Sequence, residues 1–201
     1  MPTKRLPEQN GNSCAAHCTT IAINEIKQTA LTATFAEDDL WPSIQFSDTC
    51  AVTKPLADDK NSDPRLIVSQ IKQRWPGVKA KLLCDEGQKS KAISMVNGMM
   101  RSGMNDIFNL LVQEAVKGSI ALDEAVFYNC SYTMHSGAKP SEDNFSGMHN
   151  ILVAYEAGKT FFYNSNESNP QWQATANWKK LEAQNGGTHS YVFSGVAVAI
   201  F

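Results

Sequence analysis

A cysteine attacks a carbonyl only as its thiolate, and thiolates are favoured where positive charge gathers, such as the start of a helix. Cys14 lies at such a place. Asn12 and Ser13 are both helix-capping types, and they precede the helix-like run CAAHCTTIAINEIK. A free cysteine is more often a small buried hydrophobe than a nucleophile, so Cys14 alone decides nothing. Three other residues add to it. Gln9, five residues upstream, carries an amide that can join the Cys14 N–H in holding an oxyanion. His149 follows a glycine-containing loop and opens a strongly patterned strand, where a sheet would hold its ring rigid as a general base. Asn164 ends the next strand, so that in a hairpin turning at Ala157-Gly158 it lies roughly opposite His149. Its amide oxygen can then accept from the imidazole and fix the tautomer. Asn166, in the turn-like run NSNESNP, competes for that orienting role. Asp143 offers an alternative third member but lacks the strand logic.

The elements that must position these residues can be read from periodicity. Cys18, Ala22 and Ile26 fall on one stripe with Ile21 beside it, which predicts a half-buried helix from residue 14. Asp63-Pro64 is a cap followed by proline at the first helical position. Leu66, Ile67, Ile71 and Trp75 line one face of the helix that follows, and Pro76-Gly77 ends it. Val78 to Cys84 reads as a strand. Two further helices are expected, from Lys91 to about Arg101 and from Asp106 to Lys117, the latter with Gly118 at its C-cap. From Ala125 to Thr133 the chain is aromatic and β-branched, hence a strand. HNILVAYEAGKTFFYN is a hairpin, Thr175 to Gln184 a short helix, and SYVFSGVAVAIF a last strand too apolar for an exposed edge. Residues 29–60 have no clear pattern. Helices first and strands last predict an α+β fold.

The order Gln, Cys on a helix, His at a strand start, and Asn one hairpin later is more specific than any of its members. Here the chain resembles the papain-like cysteine peptidase superfamily. QNGNSCAAHCTTIAI is similar to its Gln-to-Cys segment, and GMHNILVAYEAGKTFFYNSN to its His-strand-strand-Asn segment. His149 lies 135 residues and Asn164 150 residues past Cys14, within the spacing of about 130–150 that papain-type enzymes show. The close, a short helix around Trp178 and then an apolar strand, resembles the C39-like branch. The motifs cover about a quarter of the chain, and residues 30–120 carry none of them. Ala15 follows the cysteine, where papain has tryptophan and the C39 peptidases glycine. The step from Gln9 to Cys14 is one residue shorter than in either, and Asn164 stands where the C39 peptidases use aspartate. The resemblance implies one papain-like domain over 1–201, with a nucleophile-helix half packed on a C-terminal antiparallel sheet. It implies a thiol hydrolase with catalytic Cys14, His149, Asn164 and Gln9, acting on a protein or peptide. Compact members include secreted bacterial effectors, some of them deamidases or transglutaminase-like acyltransferases. These are the alternatives within the fold; a binding module that kept the fold without catalysis is the alternative outside it.

Composition bounds these readings. The 201 residues, 42% hydrophobic and 19% charged, suit a single packed domain rather than a disordered chain. With 18 basic and 20 acidic residues and no basic run, nucleic acid is not the expected partner. No apolar stretch reaches the roughly 18 residues of a membrane span, and the start, MPTKRLPEQNGNS, has no apolar signal-peptide core. A cytoplasmic location, or export as an effector by another route, is therefore expected. Five cysteines, an odd number at irregular spacing, suggest a reducing compartment rather than a disulfide scaffold. Cys18, Cys84 and Cys130 sit in apolar patterns and are expected to be buried and unpaired, with Cys50 more exposed. Cys14, His17 and Cys18 share a helical face and with a fourth ligand could hold zinc, but no CxxC or HExxH accompanies them. No cofactor and no metal is expected. Composition is silent on oligomeric state.

Overall fold

The computed structural model describes residues 1–45, 62–85, 116–118, 127–136, 147–182 and 189–201. Within these, residues 65, 84–85, 116–118, 127–136, 147–148, 189 and 194–196 are described by their backbone alone. The chain is a mixed α+β molecule. Helix α1 is Cys14–Lys27. A π-helical turn, Phe35–Leu40, runs into the short α2, Trp41–Ile44. Helix α3 is Pro64–Arg74. The strands are β1 Ala80–Asp85, β2 Val116–Gly118, β3 Phe127–Ser136, β4 Gly147–Glu156, β5 Lys159–Tyr163, β6 Trp172–Thr175, β7 Lys180–Leu181 and β8 His189–Ile200. They form one sheet in the order β2-β1-β8-β3-β4-β5-β6, with β7 pairing β8 off that path. Among the described residues no helix is long and apolar enough to cross a membrane.

Two apolar layers sandwich the sheet. On one face, Ile21, Ile23 and Ala22 of α1, Leu40, Ile44, and Ile67 and Ile71 of α3 pack on Leu82, Leu152, Tyr163, Val198 and Ile200. On the other, Ile151, Val153 and Phe162 meet Trp178, Leu181, Tyr191, Phe193, Ala197 and Ala199. The two sets alternate along β4, as strand geometry requires: Ile151 and Val153 belong to one and Leu152 to the other.

Several expectations need correction. α1 is buried on all sides from Cys14 to Asn24, not half-buried, because the sheet, the π-helical turn and the N-terminal segment all close over it. Ser13 precedes it but does not cap it with its side chain; its hydroxyl donates instead to the Asn10 carbonyl at 2.9 Å. Thr175 to Glu182 forms no helix. Thr175 Oγ1 accepts the Asn177 N–H, and Trp178 stacks on Phe193 with ring centroids 4.9 Å apart. The Lys179 carbonyl accepts from the Phe193 N–H, so tertiary packing overrides the local pattern. Ala183 and Gln184 lie outside the described residues. Val116–Gly118 is a strand, where a helix end and its glycine cap were expected. It pairs parallel to β1, so the sheet is not wholly antiparallel, and it draws one strand, β1, from outside the C-terminal half. The expected helix over 91–101, and the rest of the one over 106–117, lie outside the described residues.

Other elements match. α3 starts straight after Asp63, with Ile67 and Ile71 buried. β8 is interior, paired with both β1 and β3. The β4–β5 hairpin turns at Ala157 and Gly158, both with positive φ (50° and 74°), which is the turn whose twist suits a tight antiparallel pair.

Candidate active site

Cys14 is the first residue of α1, where a backbone N–H has no acceptor within the helix. The residue is buried, 8% exposed. The helix brings it over the start of β4, where it accepts from the Asn150 backbone N–H at 3.4 Å and the Asn150 Nδ2 at 3.7 Å. One turn further on, Cys18 Sγ donates to the Asn150 carbonyl at 3.5 Å, which fastens the helix along the strand.

His149 is buried, and its ring is hydrogen-bonded on two sides. Nε2 donates to Asn164 Oδ1 at 2.8 Å. That leaves Nδ1 for Cys14, with which the ring also shares a hydrogen bond. Asn164 Oδ1 also accepts the Asn166 N–H at 3.1 Å, and Asn164 Nδ2 donates to Tyr191 Oη at 3.2 Å. Two donors meet the same oxygen, so the amide's orientation is fixed. The Tyr191 ring lies against the imidazole, centroids 5.4 Å apart.

The electrostatics follow from this geometry. Burial alone pushes the Cys14 thiol up. Opposing it are the His149 charge, the His149 hydrogen bond and the two Asn150 donors, and together they hold the thiol below its ordinary value of 9.0. Burial pushes His149 down, while the Cys14 charge and the hydrogen bonds with Cys14 and Asn164 raise it above its ordinary 6.5. The two opposite shifts both run in the direction that favours a thiolate–imidazolium pair held out of water. Such a pair combines a ready nucleophile with a proton donor beside it.

Gln9 is half-buried at the end of the N-terminal segment. Its backbone N–H donates to the Ser165 carbonyl at 2.8 Å, and its Oε1 accepts from Ser165 Oγ at 2.5 Å. Nε2 donates to the Gly11 carbonyl at 2.8 Å. That bond depends on the backward bend at Gly11, whose φ of 59° favours glycine. Ser165, the residue beside Asn164, thus ties Gln9 to the loop that follows β5. One Nε2 hydrogen is engaged, and none of the Gln9 bonds is to the sulfur.

His17 has other business. Its Nε2 pairs with Glu37 Oε1 at 3.0 Å, and the same oxygen accepts the Asn10 N–H at 2.8 Å. Burial lowers the His17 pKa more than Glu37 raises it, so the ring is neutral near pH 7. Among the described residues no three His, Cys, Asp or Glu side chains group as metal ligands. Cys18 is buried and forms no disulfide, as expected. Cys50 lies outside the described residues, and only the backbones of Cys84 and Cys130 are described.

Cys14, His149 and Asn164 are brought together, and Asn166 contributes its backbone rather than its side chain to Asn164 Oδ1. Two residues at the site escaped sequence reasoning, Asn150 and Tyr191. Asn150 had one available signal, its place next to His149. Tyr191 had none, since it comes from a strand that is not sequence-adjacent to β4 or β5.

No protein-family model matches the chain, and no curated protein matches it significantly.

Proposed function

We propose that the chain is a papain-like, thiol-dependent hydrolase that cleaves a peptide or amide bond through a covalent acyl-enzyme. The observation that carries this reading is the relay from the Cys14 sulfur through the two nitrogens of His149 to Asn164 Oδ1. A packing histidine needs neither a sulfur on one side nor a doubly anchored amide on the other.

In this mechanism the Cys14 thiolate attacks the carbonyl carbon, forming the S–C bond, and the carbonyl π pair moves to oxygen. The Cys14 N–H and the remaining Gln9 Nε2 hydrogen stabilise that oxyanion. The tetrahedral species collapses and the C–N bond breaks. The amine leaves with the proton given by His149 Nδ1. Neutral His149 then takes a proton from water, whose oxygen attacks the thioester. Cys14 departs as thiolate and the imidazolium is restored. Asn164 accepts the Nε2 hydrogen throughout and keeps Nδ1 aimed at the sulfur.

The test is exposure of the protein and of its Cys14→Ala variant to a proteome-derived peptide mixture and to intact proteins, read by mass spectrometry. New chain ends that appear only with the unsubstituted enzyme support hydrolysis of the backbone. A gain of about one dalton on uncut proteins moves the reaction to side-chain amides. Brief iodoacetamide treatment near pH 6 should modify Cys14 well before Cys18. Equal slow labelling of both would overturn the catalytic reading in favour of a binding module.

A further inference from the structure

Alternation along β4 assigns His149 to the far face of the sheet, with Ile151 and Val153, and Asn150 to the helix face, with Leu152. Neighbouring side chains on opposite faces do not ordinarily reach one atom, yet both meet the Cys14 sulfur. The cause lies at the strand edge. Pairing of β4 with β5 runs from Glu156↔Lys159 to Leu152↔Tyr163 and stops. Asn150 lies two residues past the last pair, and there the start of α1 lies across the strand. The sulfur straddles the edge, with His149 reaching it from one face and Asn150 from the other.

Resting on the thiol-hydrolase reading, we propose that Asn150 is the anion-holding residue of this site: its backbone N–H and its side-chain amide together hold the resting Cys14 thiolate against His149. The contacts are 3.4 Å and 3.7 Å from nitrogen to sulfur. The Asn150 backbone is itself held to α1 by Cys18 Sγ on its carbonyl at 3.5 Å, so the donors keep their aim. The side chain is half-buried, where a hydrogen bond to an anion is screened less than in open water.

The chemical consequence has two opposite parts. Donors on a thiolate favour ionisation, so more of the nucleophile is present at low pH. They also lower its basicity, so each thiolate attacks more slowly and leaves a thioester faster. Asn150 would thus favour release of the acyl group over speed of attack. A residue that only packs would leave no such paired signature.

The experiment needs no substrate. The rate of iodoacetamide alkylation at Cys14 is followed by peptide mapping from about pH 4 to 10 for the intact protein and for Asn150→Ala, Asn150→Ser and Asn150→Asp. Asn150→Ala should lose about threefold in rate on the acid side of the profile, with the high-pH plateau equal or higher. Asn150→Asp, which sets a carboxylate beside the sulfur, should lose about tenfold or more. Asn150→Ser is the milder change at a strand position and should fall between the native protein and Asn150→Ala. Cys18 labelling reports whether each variant stays folded. Folded variants with the native profile would overturn the role of Asn150 while leaving the catalytic reading intact. A native protein whose Cys14 titrates like an ordinary thiol would overturn both.

Discussion

Replacing Asn164 by alanine tests the relay at its far end. The substitution deletes the acceptor of the His149 Nε2–H at 2.8 Å, the acceptor of the Asn166 N–H at 3.1 Å, and the donor to Tyr191 Oη at 3.2 Å. Only the first bears on the chemistry. A hydrogen bond to a charged group contributes roughly 1.5–3 kcal/mol, which corresponds to about 10- to 10²-fold in kcat/KM. Loss of the nucleophile in Cys14→Ala is total by comparison. The pH dependence has a sign that can be worked out. Asn164 helps hold the His149 pKa above 6.5, so without it the imidazolium loses its proton at lower pH. The ion pair exists only between ionisation of the thiol and deprotonation of the imidazole. The alkaline limb of the activity profile should therefore move toward neutrality, and the acid limb should rise slightly as the thiolate loses part of its counter-charge. The orphaned bonds to Asn166 and Tyr191 should lower Tm by a few degrees. The assay is kcat/KM against pH on one peptide, with circular dichroism to verify folding. Asn166→Ala is the control, because it keeps the backbone N–H that Asn164 uses, and it should stay within about threefold of the native protein. A folded Asn164→Ala protein with an unchanged profile would refute the relay, and a crippled Asn166→Ala would move the orienting role to that residue.

His149→Gln removes the largest influence that opposes burial of the Cys14 thiol, so its pKa should rise. Alkylation at pH 7 should slow by on the order of 10²-fold or more, and an unchanged rate would deny the ion pair. Gln9→Ala should lower kcat by about 10²-fold while leaving alkylation of Cys14 unaltered, because Gln9 makes no bond to the sulfur; unaltered kcat would make Asn12 the better candidate donor. Ala157→Asn should stabilise the hairpin by up to about 1 kcal/mol, since asparagine tolerates the left-handed φ of 50° better than alanine does. A Tm rise of about 2–4 °C in thermal melts would bear this out, and a fall would mean the turn is not under strain.

Cys14, His149 and Asn164 were legible because each has a local mark: a helix start after two capping-type residues, a strand start after a glycine loop, and a strand end. Their meeting was legible only in outline. The register fixed at Glu156↔Lys159, continued along the strands, sets position 166 and not 164 opposite His149. Asn164 reaches the ring because β5 stops at Tyr163 and the chain turns there, with the Asn166 N–H folded back onto the Asn164 side chain. Where a strand stops is decided by its neighbours, which no local pattern records. The same holds for Val116–Gly118, whose partner in β1 is distant in sequence, and for Trp178, whose helix-like surroundings yield to stacking on Phe193. His17 and Cys18 share a helical face with Cys14 at a spacing that metal ligands also use, without the companion motif a metal site would need. One is occupied by a carboxylate from the π-helical turn and the other by the strand backbone, partners that spacing does not reveal.

The site's location follows from how the two core layers meet. Cys14 and Asn150 are held from the helix layer, while His149, Asn164 and Tyr191 are held from the far layer, and the two sets meet at the local edge beyond Leu152↔Tyr163. A nucleophile and a base that belong to different layers can touch only at such an edge. That arrangement also accounts for the burial of α1 on every side. A helix free to shift by one ångström would separate the thiolate from both Asn150 and His149, and misplacement on that scale is costly for catalysis. Ile21, Ala22 and Ile23, all fully buried, fix the helix against the sheet, and Cys18 fixes it along the strand. Ser165 on Gln9 and Glu37 on Asn10 fix the loop that precedes it. The residues around Cys14, His149 and Asn164 thus hold one sulfur still at one break in the sheet.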